Sequence, residues 1–119
     1  MNVSHINDGQ GLADGGIISN AKEVAAFIRE LNNGELLSED SMKELRDWVG
    51  GNEYGLGYSY MTVADWYLEG HDGATSGFAS EMWFVPEEST TVIILFGSED
   101  MEADSYRLID SALTYWFNK

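Results

Sequence analysis

The sequence predicts an α+β fold, an α/β sandwich with two N-terminal helices, an antiparallel sheet of about four strands and a C-terminal helix. Three observations carry this. Apolar residues recur at helical spacing from Val24 to Val49, the period falls to two from Leu56 onward, and helical spacing returns from Tyr106 to Phe117. No internal repeat, low-complexity segment or interdomain linker interrupts the chain, so residues 1–119 are expected to form a single domain.

Ser19 or Asn20 can cap the first helix, with Glu23 in its first turn and Val24, Phe27, Ile28 and Leu31 as its apolar stripe. Asn32-Asn33-Gly34 ends it in a left-handed turn. Ser38 caps the second helix, Glu39 and Asp40 favour its first turn, and Met42, Leu45, Trp48 and Val49 form its stripe until Gly50-Gly51. Leu56, Tyr58 and Tyr60 then alternate as a strand, Thr62 to Asp65 turns, and Trp66 to Glu69 returns. Phe78 to Val85 is the next strand, followed by the turn Pro86-Glu87-Glu88-Ser89. The run Thr91 to Phe96 is apolar almost throughout, which predicts a central strand buried on both faces. Tyr106, Ile109, Leu113, Trp116 and Phe117 are expected to face the sheet from the last helix, and all four tryptophans are expected in the core.

Composition excludes several classes of function. With 44% apolar residues and 4 Trp, 6 Tyr and 5 Phe, the chain can build a core, so disorder is excluded. The absence of cysteine excludes disulfides and thiolate metal sites. His5 with Asp8 and His71 with Asp72 lack the number and spacing of ligands that a metal needs, so no metal site is expected. Gly9-Gln10-Gly11 and Gly15-Gly16 do not form a phosphate loop, and no cofactor is called for. There are 21 acidic and 6 basic residues, a formal net charge of −15, which repels nucleic acid and anionic membranes. Neither a transmembrane run nor a signal peptide is present in the polar segment Met1 to Gly16.

The candidate site is the stretch Gly70-His71-Asp72-Gly73-Ala74-Thr75-Ser76-Gly77-Phe78 between two strand-like runs. Glycine beside a His-x-Gly at a strand end lets a ligand approach backbone N–H groups closely. The stretch resembles the third motif of the serine β-lactamase and penicillin-binding-protein superfamily, in the class C, D-alanyl-D-alanine carboxypeptidase and esterase branch, where His-x-Gly often replaces Lys-Thr-Gly. Asp14-Gly15-Gly16-Ile17-Ile18-Ser19 resembles the Gly-Gly-x-x-Ser start of a family helix, and Gly34-Glu35-Leu36-Leu37-Ser38 its "GxLLS" step. Tyr54-Gly55-Leu56-Gly57-Tyr58 is similar to its "YGLGW" strand, and Val92 to Phe96 falls where the family has a hydrophobic strand. The resemblance spans from about Asp14 to the end and implies the C-terminal part of a β-lactamase-like serine hydrolase, hence a partial β-lactamase-like fold.

Carried over, the resemblance implies substrate-binding roles for His71, Asp72, Gly73 and Ala74. The strand at His71-Asp72-Gly73 would line the cleft, with His71 in the lysine's place. The backbone N–H of Ala74 would be one of two oxyanion donors, and losing one such donor typically costs about 10²–10³-fold. Asp72 departs from the family's hydroxyl residue. An ionised carboxylate there repels the carboxylate of a β-lactam, which favours an esterase- or peptidase-like parent over a penicillin-hydrolysing one. Acyl transfer on this fold also needs Ser-x-x-Lys and Tyr-x-Asn. Tyr-x-Asn is absent, and the one Ser-x-x-Lys, Ser19 to Lys22, sits where a hydroxyl caps a helix.

No catalytic residue is therefore expected in this chain, which is expected to be inactive alone. Its expected partner is a missing N-terminal catalytic part of the same protein, and the parent is expected to be exported, with no signal on this piece. A further expectation is homo-oligomerisation through a sheet edge, with apolar surface exposed near Tyr58, Tyr60, Trp66 and Phe78. The alternative is a non-catalytic acidic interaction or inhibitor module.

Overall fold

The computed structural model describes residues 15–98 and 102–118. Helices α1 (Ala21–Asn32) and α2 (Glu39–Leu45) precede strands β1 (Ser59–Val63), β2 (Trp66–Thr75), β3 (Phe78–Val85) and β4 (Thr90–Phe96), and α3 (Glu102–Phe117) ends the chain. The strands form one antiparallel sheet in the order β1-β2-β3-β4. His5, Asp8 and the Gly9-Gln10-Gly11 segment lie outside the described residues.

Alternation along the strands sends side chains to two faces, and each face has its own core. Val63, Trp66, Leu68, Trp83 and Val85 bury against Ile109 and Leu113 of α3. On the opposite face, Phe84 buries with Tyr58, Ile28 and Leu31 of α1, and Met42 of α2. The α+β sandwich therefore holds, with helices on both faces of a four-stranded meander.

The capping alternatives at α1 are decided by geometry. Asn20 is the N-cap: its Oδ1 accepts from the Glu23 N–H at 3.1 Å, whereas the exposed Ser19 hydroxyl donates to the Glu23 carboxylate at 3.2 Å. Gly34 takes the expected left-handed conformation after Asn33. Ser38 caps α2 by accepting from the Ser41 N–H at 3.2 Å.

Several expectations are corrected. Helix α2 stops at Leu45 rather than Val49, because the Leu45 carbonyl accepts from the Leu56 N–H at 3.2 Å instead of continuing the helix. The crossing chain comes so close that a Cβ on Gly55 would lie 2.1 Å from the Leu45 oxygen. Val49 is consequently exposed. The apolar run β4 is not central: it lies at the sheet edge. Nor is it buried on both faces: Val92 and Ile94 pack toward the α3 core and Ile93 toward the α1 core, but each is only partly buried and Leu95 is exposed.

Trp116 is 78% exposed, since Phe117, one residue on, takes the place against Trp66 at a ring separation of 5.7 Å. Tyr106 and Phe27 are also about half exposed. Tyr58 and Trp66 are buried, each 2% exposed, so neither contributes to an exposed apolar surface. Phe78 and Leu95 are the residues of β3 and β4 that do.

Candidate functional site

The stretch from Gly70 to Phe78 is a hairpin rather than a loop. Strand β2 runs through it to Thr75, and Ser76-Gly77 makes the turn, with Gly77 at φ 84°. His71 pairs with Met82, Asp72 with Glu81, Gly73 with Ser80 and Ala74 with Ala79. Strand β1 is shorter. Its pairing with β2 ends at Ser59 opposite Gly70, where the Ser59 hydroxyl closes on the Gly70 carbonyl at 3.0 Å. From His71 to Thr75, β2 is paired on one side by β3 and, among the described residues, by no strand on the other. Gly70 permits the junction, because a Cβ there would sit 1.9 Å from the Met82 carbonyl oxygen.

Alternation puts His71 and Asp72 on opposite faces of β2. Asp72 shares the α3 face and is exposed, while its cross-strand neighbour Glu81 is buried and accepts from the Trp83 indole N–H at 2.5 Å. His71 lies on the α1 face, half buried, and both its ring nitrogens are engaged. Nε2 lies 2.8 Å from the Tyr54 hydroxyl, and Nδ1 contacts the backbone carbonyl of Asp72. The Asp72 carboxylate is 3.8 Å from Nδ1. Tyr54 meets the imidazole edge-on, with ring centroids 5.3 Å apart.

Residues 53–55 bring Tyr54 there by running along the start of β1. Tyr54 bridges Ser59, the Tyr60 N–H donates to the Glu53 carbonyl at 3.0 Å, and the Gly55 N–H donates to the Tyr58 carbonyl at 2.7 Å. An open cleft beside this corner is lined by Glu53, Tyr54, Ser59, Tyr60, Met61, Asp72, Trp83 and Tyr106, with no lysine or arginine among them.

One turn of chain behind the site, a polar network anchors β2. Arg46 Nε and one terminal guanidinium nitrogen both bond the Glu69 carboxylate, at 2.8 and 2.7 Å. The guanidinium also donates to Asn32 Oδ1 at 2.8 Å, and Asn32 meets the Tyr58 hydroxyl at 2.8 Å. Tyr67 donates to the other Glu69 oxygen at 3.2 Å. Burial, and then the nearby Glu69 charge, push the Tyr58 phenol up to about 12 against the pull of its Asn32 hydrogen bond. Burial and Glu69 likewise raise Tyr67 to about 12. The network ties α1, α2 and β2 together one residue before Gly70.

Residue patterning ends the strand at Glu69, and only the family resemblance implies a strand at His71-Asp72-Gly73; β2 in fact runs on through Ala74 to Thr75, and neither reading finds Tyr54, Glu53 or the Arg46–Glu69 pair as neighbours. Tyr54 stood in a noted motif, yet nothing local links it to a histidine 17 residues away. Ser19 and Lys22 are both exposed, and the Ser19 hydroxyl is engaged with Glu23. The described residues hold no group of three His, Asp or Glu side chains that could bind a metal, and none of their helices is long and apolar enough to cross a membrane.

A four-stranded antiparallel meander with helices on both faces is consistent with a partial β-lactamase-like fold. Residues 2–114 match the family described as Beta-lactamase, and the chain belongs to that family. Solved structures agree on the fold. D-amino acid amidase from Ochrobactrum anthropi SV3 complexed with D-phenylalanine superposes with a TM-score of 0.65 at 20% identity, covering 78% of this chain and 36% of that one. The same amidase complexed with L-phenylalanine amide gives 0.61 at 20% identity, covering 82% and 33%. This chain thus spans about a third of the length of those structures. No curated protein sequence matches it significantly.

Proposed function

We propose that this chain is the C-terminal part of a serine hydrolase and that the outer edge of β2, from His71 to Thr75, is one wall of its acyl-transfer cleft. The observation that carries this reading is the register: β2 continues beyond its last partner on β1, at the residues that resemble the family's third motif. In the whole hydrolase a serine of Ser-x-x-Lys attacks the substrate carbonyl, and the lysine and the tyrosine of Tyr-x-Asn handle its proton. The backbone N–H of Ala74 stabilises the developing oxyanion together with the N–H of the nucleophile. This chain supplies the wall and not the nucleophile, so it is inactive alone.

The scissile bond is that of an amide, ester or peptide. Asp72 and Glu53 place carboxylates on a cleft with no cation in its lining, which disfavours a carboxylate-bearing β-lactam and favours a substrate bearing an ammonium group. The amidase of similar fold has been seen with phenylalanine amide, a molecule of that kind.

A fluorophosphonate probe tests the reading. The 119-residue chain is expected to remain unlabelled. A polypeptide that also carries the coding sequence preceding Met1 is expected to be labelled at a Ser-x-x-Lys serine, and Ala74→Pro, which removes the N–H, to slow this about 10²–10³-fold. Labelling of Ser19 in the chain alone, or no in-frame Ser-x-x-Lys before Met1, refutes it. In the latter case the net charge of −15 supports the other reading, an acidic interaction or inhibitor module.

A further inference from the structure

With the imidazole neutral, the hydrogen bonds around His71 have one consistent direction. The Asp72 backbone carbonyl can only accept, so the Nδ1 that contacts it carries the proton. A neutral imidazole has one N–H, so Nε2 is then a lone pair, and the Tyr54 hydroxyl must be the donor across their 2.8 Å contact. The Asp72 carboxylate, 3.8 Å from Nδ1, favours the proton on the same nitrogen. Tyr54 is in turn fixed by its backbone: its carbonyl accepts from the Val49 N–H at 3.1 Å, and it bridges Ser59.

We propose that Tyr54 is the positioning residue of the His-x-Gly strand, holding His71 as the Nδ1–H tautomer with its Nε2 occupied. The consequence is a change of which atom meets a ligand. Neither imidazole nitrogen is left to donate or accept. The phenolic oxygen of Tyr54, having given its proton to His71, keeps its acceptor lone pairs, and Tyr54 also lines the cleft together with Glu53 and Asp72. That corner is built to receive a hydrogen-bond donor, and a cationic nitrogen best of all. The tautomer stands on the geometry alone. Only its use in substrate selection rests on the reading of β2 as a cleft wall.

The test uses the 119-residue chain, uniformly labelled with ¹⁵N, and long-range ¹H–¹⁵N correlation of the His71 ring at a pH where the imidazole is neutral. The wild type is expected to carry its ring proton on Nδ1. In Tyr54→Phe, the share of Nδ1–H is expected to fall without reversing, because Nε2 loses the donor that occupied it while the Asp72 carbonyl and carboxylate still favour the proton on Nδ1, and the amide resonances of Met82 and Ser80 opposite the strand stay in place. A wild type protonated mainly on Nε2, or a Tyr54→Phe variant with an unchanged ratio, overturns the proposal. Should Tyr54→Phe fail to fold, His71→Gln is read at the Tyr54 ring carbon that bears the hydroxyl. A shift of that resonance is expected, and its constancy overturns the proposal. Fluorophosphonate labelling does not enter this measurement, so the cleft-wall reading can fail while the tautomer holds, and the reverse.

Discussion

Arg46→Met tests whether the position of β2 depends on the Arg46–Glu69 network. Glu69 is 7% exposed, and two guanidinium nitrogens bond one of its oxygens, so the substitution leaves a buried carboxylate with the Tyr67 hydroxyl as its remaining side-chain partner. Breaking a fully buried pair costs about 3–5 kcal/mol. Arg46 itself is one-third exposed, so water screens part of that, and the expected loss is about 2–4 kcal/mol. Lys43→Met provides the control. Its pairs with Glu39 and Asp40 are solvent-exposed, and about 0–0.5 kcal/mol is expected.

Urea unfolding at neutral pH followed by tryptophan fluorescence gives both values. The double variant Arg46→Met with Glu69→Leu is expected to recover more than half of the loss, because it removes the stranded charge as well as its partner. An Arg46→Met loss as small as that of Lys43→Met, or additive single losses in the double variant, would refute the account of the network as an anchor.

Other outcomes follow from single features. Asn20→Ala is expected to cost about 1 kcal/mol in the same assay and Ser19→Ala less than half of that, since only Asn20 accepts from the helix N–H. Alkaline unfolding is expected to set in between pH 10 and 12. The folded chain holds the Tyr58 proton to about 12 while the unfolded chain releases it near 10.0, so this stabilisation is intact below pH 10 and lost as pH rises through 12. It amounts to roughly 2–3 kcal/mol from Tyr58 and is checked by phenolate absorbance, where Tyr58→Phe should remove the late-titrating step. Sedimentation at low and high salt is expected to show a dimer or weak oligomer that tightens as salt screens the −15 charge, through the outer edge of β4, which no described strand covers. A monomer under both conditions would exclude it.

What could be read from residues alone was what repeats locally. Ile28 and Leu31, Met42, and Ile109 and Leu113 face the core because helical spacing reports a buried stripe wherever one exists. The same logic misplaced β4. A run apolar at almost every position predicts burial on both faces, and here it is an edge strand that the helices only partly cover. The half of β2 from His71 to Thr75 was read as a strand end because its residues are polar and glycine-rich, and a solvated strand half has no alternation to betray it. Helix α2 was read too long since the chain that takes the Leu45 carbonyl arrives from residue 56. Contacts of that kind, like Tyr54 on His71 and Arg46 on Glu69, join distant segments and leave no periodic trace.

The unequal lengths of β1 and β2 make the β2–β3 hairpin a cantilever. Its root is clamped by Trp66 and Trp83 in the core and by Glu69 in the polar network, and its tip overhangs from His71 to Gly77. Amides near the root are expected to exchange with solvent only on global unfolding, and those along the outer side of the tip, which no described strand pairs, to exchange faster through local opening. The segment proposed as a cleft wall is therefore one that β1 does not brace. Whatever lies along it, substrate or a neighbouring strand, would have to offset the entropy lost in ordering it.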